Sequence, residues 1–329
     1  MIQKKNKGIN FLISSAGRRV ELIKIWRESI DKFFGNESKL YACDMNPNFS
    51  PACQYADEFF QICACDASNY SEILLKECIE KNIKIIIPTI DTELKVLAKA
   101  RKYFELKGIE IIVSDLDLIE SCINKNKTED LFQLLNVQYP RRLDTGNLIF
   151  PCFKKPVIGN SGIGTKMIDS IDKLSIDDLK NENFIFQEYV DSSWGEFSID
   201  LYYDRNSILK SCIPRKRLEV RNGEISKGLI HKNQLYYKIL NDFNFLKGAR
   251  GVITLQVFFK ESFLNYLAIE INPRFGGGYP MSHYAGGTFP DLIIKEYILK
   301  EDIKFHDNWK NNYLFLRYDS TFMYENLNE

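Results

Sequence analysis

The first 115 residues alternate between short apolar runs and longer amphipathic runs, and this alternation limits the possible folds more than any other feature of the chain. The short runs are typical of strands buried on both faces, and the longer runs have the spacing of amphipathic helices. Strands separated in this way form a parallel sheet that helices cover on both sides. The predicted strands are Ile9–Ser14, Leu40–Cys43, Glu58–Ile62, Ile83–Ile87 and Ile109–Val113, and the predicted helices are Arg19–Phe33, Tyr70–Lys81 and Thr92–Tyr103.

The pattern changes after residue 115. Leu116–Leu135 has mostly helical spacing, and Pro140 follows as a helix terminator. A region rich in predicted strands comes next, so we expect a domain boundary near 115–125. A chain of 329 residues is long enough for two or three compact units. The predicted strands of this region are Cys152–Lys155, Phe184–Tyr189, Phe197–Tyr203, Ser207–Ile213, Val252–Phe259 and Asn265–Ile271.

Composition excludes several classes of function. Lys plus Arg equals Asp plus Glu at 44 each, whereas proteins that bind nucleic acid usually carry a basic excess. No apolar run approaches the roughly 20 residues of a membrane span. The run before Arg18-Arg19 is too short for a secretory signal, and the eight cysteines form no C-x-x-C pair. We therefore expect a cytoplasmic protein with reduced thiols and with neither nucleic acid nor membrane as a partner.

A glycine-rich segment, residues 154–166, is the first strong local signal. Gly159, Gly162 and Gly164 leave the backbone free to approach a phosphate, and lysines lie on both sides. The segment differs from a P-loop because Thr165 precedes Lys166, the reverse of the required order. Two interpretations remain: an ordinary hairpin turn, or a flap that closes over a triphosphate with Lys155 on the preceding strand.

Glu270 and Asn272 form the second strong signal. They are two apart in an apolar strand, so both side chains point to one face while Ile269 and Ile271 point to the other. A carboxylate among apolar neighbours needs compensation, which a magnesium ion would supply through hard oxygen ligands. Gln256 on the preceding strand could add a third oxygen. The alternative is a simple salt bridge between Glu270 and either Arg274 or a lysine.

In this order, these segments resemble the ATP-grasp superfamily, and carbamoyl-phosphate synthase large-chain domains and related carboxylate–amine ligases look most similar. The resemblance is most specific from Gln256 to Arg274, and it extends over nearly the whole chain. It implies a fold of mixed α/β and α+β class. Its parts would be a Rossmann-like pre-ATP-grasp domain at 1–115, a small ATP-grasp lobe with a glycine-rich flap at 116–190, and a large lobe with the magnesium site at 191–329.

The resemblance also implies a set of site residues and cofactors. ATP and Mg²⁺, or Mn²⁺ in its place, would be the cofactors. Two positions stay open, because Lys127 competes with Lys125 as the first ATP lysine and Gln187 competes with Glu188 as the residue that reads adenine. The implied ATP-binding residues are Lys125, Lys155, Gly162, Gly164, Glu188, Tyr189, Val190 and Glu196, the metal ligands are Gln256, Glu270 and Asn272, and the catalytic arginines are Arg274 with Arg215 or Arg217.

The implied reaction is the activation of a small-molecule carboxylate as an acyl phosphate, followed by attack of an amine. Ser15, Arg18 and Asp91 would contact the acceptor acid, although Arg18-Arg19 could equally be a surface pair at a helix start. The cluster 214–217 could be a solvated run of charges. The other functions considered are a phosphotransferase that forms a free acyl or carbamoyl phosphate and a nucleotide-binding regulatory module. Apart from its substrates, the expected partner is a second copy in a homodimer.

The resemblance implies that Phe184–Val190 is the hinge strand that reads the nucleotide base, and this hinge assignment predicts a preference for adenine. Backbone groups near Tyr189 and Val190 would read the base, so ATP should bind better than GTP. Thermal denaturation at equal nucleotide and magnesium concentrations measures this, and ATP should raise the melting temperature clearly more than GTP does. Equal shifts would contradict the hinge assignment.

Overall fold

A parallel five-stranded sheet forms the N-terminal part of the chain. The computed structural model describes residues 8–159, 164–221 and 223–323, so the predicted ATP-binding Gly162 lies outside the described residues. The strand order is β3-β2-β1-β4-β5, and every pairing is parallel. The elements are β1 (Asn10–Ile13), α1 (Val20–Phe34), β2 (Leu40–Asp44), α2 (Pro51–Tyr55), β3 (Glu58–Gln61), α3 (Tyr70–Glu80), β4 (Ile83–Ile87), α4 (Asp91–Glu105) and β5 (Glu110–Ile111).

A smaller antiparallel sheet follows, in the order β6-β9-β7-β8. Two helices lead into it, and the side chain of Asn124 between them accepts the backbone N–H groups of Asn126 and Lys127 as an N-cap. The predicted, mostly helical stretch Leu116–Leu135 therefore consists of two helices, because this cap begins a new one. The elements are α5 (Leu116–Ile123), α6 (Lys125–Leu134), β6 (Arg142–Leu143), β7 (Cys152–Pro156), β8 (Lys166–Ile168), α7 (Ile176–Lys180) and β9 (Phe184–Glu188).

The largest sheet has six strands in the order β14-β13-β10-β11-β12-β15 and is antiparallel throughout. A glycine-containing segment leaves β14 and leads into α9. The elements are β10 (Gly195–Tyr203), β11 (Leu209–Arg221), β12 (Glu224–Ile230), α8 (Gln234–Asp242), β13 (Gly251–Lys260), β14 (Asn265–Asn272), α9 (Tyr279–Tyr284), α10 (Phe289–Ile293), which continues as one π turn over Ile294–Ile298, and β15 (Tyr313–Leu316).

The architecture confirms the predicted fold class: a covered parallel sheet is followed by two antiparallel sheets. The predicted strand Ser207–Ile213 proved too short, since β11 continues to Arg221 and pairs with two strands. Neither β12 nor β15 was predicted. All eight cysteines are free thiols. Within the described ranges, no helix has the length and apolar character needed to span a bilayer.

A buried carboxylate holds the turns at the carboxyl ends of β1 and β4. Glu93 is fully buried and accepts the backbone N–H groups of Thr89, at 2.7 Å, and Ile90, at 3.1 Å. The hydroxyl groups of Ser15 and Tyr70 donate to its other oxygen. Burial raises the pKa of Glu93, and the hydrogen bonds from its donors oppose that rise. These bonds fix two loops that contribute to the cavity described below.

Replacing Glu93 by Ala should destabilise the protein, because it would leave buried N–H and O–H donors without an acceptor. We expect Glu93→Ala to lower the free energy of unfolding by about 3 kcal/mol. Glu93→Gln keeps one carbonyl oxygen for the two backbone donors and should cost less. Urea unfolding followed by circular dichroism measures both changes. Equal stability of Glu93→Ala and wild type would contradict this role.

Candidate active site

One face of the six-stranded sheet gathers polar side chains from four strands. Residues directly opposite each other in an antiparallel pair point to the same face. Ser198 on β10 lies opposite both Gln256 on β13 and Arg215 on β11, and Gln256 lies opposite Glu270 on β14. This register brings four distant segments of sequence into one row across the sheet.

The neighbouring rows extend this polar face. Asn272 lies opposite Thr254, and Thr254 lies opposite Asp200. Each of these residues is two positions from the first row along its strand, so it points to the same face. In the other direction, an oxygen of Glu196 lies 3.1 Å from Nη1 of Arg217. Alternate residues of apolar strands thus form a polar floor, while the residues between them pack into the core.

The oxygens of Glu270, Asn272 and Gln256 are grouped on this floor. The amide of Asn272 donates to Oε1 of Glu270 at 2.9 Å, and Nη1 of Arg217 donates to Oε1 of Gln256 at 3.0 Å. The alternative of a salt bridge between Glu270 and Arg274 is wrong. Among the described residues Glu270 forms no ion pair, and Arg274 pairs with Asp91.

A cavity of about 430 Å³ lies over the polar floor and reaches the N-terminal domain, a size typical of small-molecule sites. Besides the polar floor and the N-terminal domain, the glycine segment Gly276–Gly278 bounds this cavity. An added Cβ at Gly276 would lie 2.7 Å from Oγ1 of Thr254, and one at Gly278 would lie 2.1 Å from Nη1 of Arg215. Glycine therefore lets the backbone itself form the wall at close approach.

Arg215 lies in the floor as part of a buried ion pair. Its Nε and Nη2 donate to the two oxygens of Asp200 at 2.8 and 3.0 Å, and the two side chains are 1% and 0% exposed. Thr254 and Ser282 also donate to Asp200. The alternative of a solvated charge run is wrong for Arg215, because the buried carboxylate of Asp200 compensates its charge.

Arg274 joins the floor to the N-terminal domain. Its Nε and Nη2 donate to the two oxygens of Asp91 at 2.8 and 2.6 Å, a planar bidentate pair. Asp91 is the first residue of α4, and Arg274 follows β14 by two residues. Both residues line the cavity. The predicted catalytic Arg274 is thus in direct contact with Asp91, which was predicted to contact the acceptor acid.

The small sheet carries the predicted phosphate lysines. Lys155 lies opposite Ile185 on the face that lines a small cavity shared with Lys125. Lys125 donates to the carbonyl oxygen of Gly159 at 2.8 Å, at the start of the glycine-rich segment. Lys154 points to the opposite face and pairs with Asp178. Lys127, the alternative to Lys125 as the first ATP lysine, has its ammonium 3.5 Å from a carboxylate oxygen of Glu120.

Electrostatic interactions link the small sheet to the polar floor. Burial lowers the pKa of Lys155 to about 8, Lys125 adds to this effect, and Glu270, Glu129 and Glu196 oppose it. Burial likewise raises the pKa of Glu196, while Arg217 and Lys155 lower it and Glu270 raises it. Lys155 of the small sheet therefore interacts electrostatically with the carboxylates of Glu270 and Glu196 on the large sheet.

The strand that leads to the predicted hinge divides its two candidate side chains. Gln187 is buried, lines the small cavity and donates to Glu129 at 2.8 Å. Glu188 lies on the other face and accepts the backbone N–H of Arg141. Tyr189 is exposed and Val190 is partly buried, directly after β9. Gln187, not Glu188, shares its side of the sheet with Lys155.

Of the remaining predicted residues, some line the large cavity and others are bound elsewhere. Arg18 lines the large cavity, whereas the hydroxyl of Ser15 is bonded to the buried Glu93. Gly164 has a φ of 77°, which favours glycine. Sequence reasoning missed Asp200, which holds Arg215 beneath the cavity, and Glu224, which lines the cavity. Asp200 could have been found from its alternation with Ser198 in an apolar strand, and Glu224 from the hairpin signal Asn222-Gly223 before it.

Two family models match separate parts of the chain. Residues 11–112 match a family model described as the PylC-like N-terminal domain. Residues 180–313 match one described as ATP-grasp in the biosynthetic pathway with Ter operon. A formate-dependent phosphoribosylglycinamide formyltransferase from Bacteroides thetaiotaomicron is 30% identical over 145 residues, which cover 40% of this chain and 35% of that protein. The chain thus spans about a third of the length of this curated relative.

Solved structures share the fold. N5-carboxyaminoimidazole synthetase from Staphylococcus aureus superposes with a TM-score of 0.66 at 17% identity, over 90% of this chain and 79% of that one. The L-amino acid ligase from Bacillus licheniformis gives 0.65 at 16% identity, over 89% and 74%. At such identities the likeness establishes the arrangement of the chain and leaves the substrates open.

The low pKa of Lys155 predicts a pH-dependent affinity for ATP. A phosphate favours the charged ammonium, so above pH 8 binding must be accompanied by proton uptake. ATP–magnesium affinity should fall about 10-fold from pH 7 to pH 9. Lys155→Arg should remove this dependence, because a guanidinium stays charged, and Lys155→Ala should weaken binding at both values. Calorimetric titration measures it, and an unchanged pH profile in Lys155→Arg would contradict the assignment.

Proposed function

We propose that this chain is an ATP-grasp ligase, consistent with the match of residues 180–313 to an ATP-grasp family model, and that it activates a small-molecule carboxylate with ATP for attack by an amine. The observation that carries the proposal is the polar floor. Glu270, Asn272 and Gln256 line the cavity that opens toward the N-terminal domain, and the carboxylate of Glu270 interacts electrostatically with Lys155 of the small sheet.

The cleft between the two lobes suits the nucleotide. Lys125 and Lys155 supply positive charge beside the glycine-rich segment, and triphosphates bind such groups strongly. Gln187 lines the small cavity at one end of this cleft, and Tyr189–Val190 follow it directly in the chain. We assign the adenine to this end and the phosphates to the end that faces Glu270.

The oxygen ligands fit a magnesium ion. One carboxylate and two amide side chains are too few for a closed protein cage, and Mg²⁺ typically completes its shell with phosphate oxygens and water. Among the residues that the structure describes there is no group of three His, Cys, Asp or Glu that could hold a metal. Glu270, Asn272 and Gln256 would hold the ion, which would neutralise charge on the transferred phosphoryl group.

The cavity suits the acceptor acid. One carboxylate oxygen attacks the γ-phosphorus, the bond to the β,γ-bridging oxygen breaks, and ADP leaves. An amine then attacks the acyl carbon, and phosphate departs. Arg217 and Arg274 lie where charge develops in these steps, and both are already oriented by carboxylates, so little reorganisation is needed during the reaction. Phosphoryl transfer depends mainly on such positioning.

An assay of ADP release tests this proposal directly. With ATP and magnesium, ADP release should depend on a carboxylic acid, and phosphate release should rise further when an amine is added. A panel of amino acids, hydroxy acids and sugar acids is the starting set. ADP release that needs no amine, with an acyl phosphate accumulating, would favour a phosphotransferase instead.

Glu270→Gln should reduce turnover sharply. The substitution keeps the shape of the side chain and its acceptor for Asn272, but it removes the negative charge of the metal site. We expect acid-dependent ADP release to fall by about 100-fold, equivalent to roughly 3 kcal/mol. The melting temperature without metal should stay equal or rise slightly.

Glu261→Gln is the matched control for this experiment. Glu261 is exposed on the turn between β13 and β14, outside the cavity, so its loss should leave turnover unchanged. A Glu270→Gln protein that turns over normally but unfolds at lower temperature would mean that Glu270 has a structural role only.

A further inference from the structure

The charges around the cavity are balanced on one side and unbalanced on the other. On the polar floor and its border, each arginine has its own carboxylate: Arg215 with Asp200, Arg217 with Glu196, and Arg274 with Asp91. The arginine charges on this side are thus compensated within the protein, and Glu270, which forms no ion pair among the described residues, belongs to the proposed metal site.

The opposite wall is formed where β1 leads into α1. Arg18 and Arg19 both line the cavity there. Arg19 donates to two backbone carbonyls, those of Thr89 at 2.8 Å and Phe275 at 3.2 Å. Burial lowers the pKa of Arg19 to about 10, and the nearby charge of Arg274 adds to this. Its positive charge is therefore held inside the protein by dipoles and only distant carboxylates.

Arg18 is the more accessible group on this wall. It is exposed and, among the residues that the structure describes, it forms no hydrogen bond or ion pair. Arg18 and Arg19 directly precede α1, a 15-residue helix whose first turn lacks a side-chain cap. The positive end of the helix dipole adds to the field of the two guanidinium groups.

Glu224 is the carboxylate of the cavity lining that interacts with both Arg18 and Arg19, whereas Asp91, which pairs with Arg274, and the buried Glu93 interact less strongly with Arg19. Glu224 accepts a hydrogen bond from Arg317. Although burial raises the pKa of Glu224, the bond from Arg317 and the charges of Arg317, Arg19 and Arg18 leave it lowered, so the carboxylate is ionised at neutral pH. Arg18 and Arg19 thus share this carboxylate with Arg317, which leaves the wall positively charged.

A second, independent feature indicates an anionic ligand in the same cavity. Arg215 is 1% exposed, and its Nη1 has no hydrogen-bond partner in the described part of the chain. A buried donor without an acceptor is costly. This nitrogen lies under Gly278, at the side of the cavity that faces Glu224 and Ile225.

We propose that the acceptor acid carries a second anionic group, and that Arg18 with the start of α1 binds this group while the reacting carboxylate lies over the polar floor. The inference rests on the proposed function. A carboxylate or a phosphate-type group would suit the wall, because each forms charge-assisted hydrogen bonds with guanidinium groups. A terminal ammonium would instead meet two like charges, and a methyl group would gain nothing from them.

Matched small acids test the proposal. Glutarate, 4-phosphonobutyrate, pentanoate and 4-aminobutyrate have similar length and differ in the terminal group. Calorimetric titration of the full chain, with magnesium and a non-hydrolysable ATP analogue present, gives a dissociation constant for each acid. The two dianionic acids should bind about 10-fold tighter than pentanoate. The better of the two identifies the second group as a carboxylate or a phosphate.

Arg18 variants separate this wall from general charge effects. Arg18→Gln should reduce the preference for dianionic acids to about twofold, while Arg18→Lys should retain most of it. Affinity for pentanoate should change in neither variant. Lys24→Gln is the control, because Lys24 lies on α1, outside the cavity, and also loses one positive charge; it should retain the full preference.

The outcomes are distinct from those of the proposed function. Wild-type protein that binds the ATP analogue but shows no preference for glutarate or 4-phosphonobutyrate over pentanoate would overturn the inference, as would an undiminished preference in Arg18→Gln. Tighter binding of 4-aminobutyrate would overturn it in favour of an amino-acid site. Loss of ATP-analogue binding in the wild type would instead count against the proposed function.

Discussion

The buried ion pair between Arg215 and Asp200 organises the centre of the large sheet. Asp200 accepts two bonds from β11, one from Thr254 on β13 and one from Ser282 on α9, so a single carboxylate joins three adjacent strands to the helix beyond the glycine segment. Removing one partner of such a pair typically costs 3–5 kcal/mol because a buried charge is left alone. The positions of Glu270 and Asn272, and of the cavity above them, depend on this cross-strand bonding.

The pair also explains why the glycine segment must lack side chains. The guanidinium of Arg215 lies next to Gly278, where an added Cβ would overlap Nη1 at 2.1 Å. The chain can therefore turn from β14 into α9 directly over the floor. This turn leaves the cavity bounded by the floor, the glycine backbone and the loops of the N-terminal domain.

The parallel sheet could be predicted from the sequence because its strands are apolar on both faces, which gives a strong local pattern. The pairing of Glu270 with Asn272 on one face likewise follows from their spacing of two. The environment of Arg215 could not be predicted, since its partner is 15 residues away on another strand and register is a property of two strands together. A run of basic residues has the same local appearance whether it is solvated or paired.

The missed strands have a similar explanation. Residues 224–230 contain serine, lysine and glycine among their apolar residues, and the pattern gives no clear period. β12 is stable because β11 and β15 pair with it on both sides. The faces of Gln187 and Glu188 depend in turn on the register of β9 with β7, which the sequence leaves undetermined.

The contact of Arg274 with Asp91 has a practical meaning for the construction of chimaeras. Asp91 belongs to the first turn of α4, and Arg274 follows β14 by two residues, so this bond crosses the junction at which an N-terminal domain would be exchanged. A donor domain without an acidic residue at this position would leave a cavity arginine uncompensated, and its guanidinium would turn toward the incoming acid. A transfer of acceptor specificity between relatives therefore requires that the aspartate of α4 and the arginine that follows β14 are exchanged together.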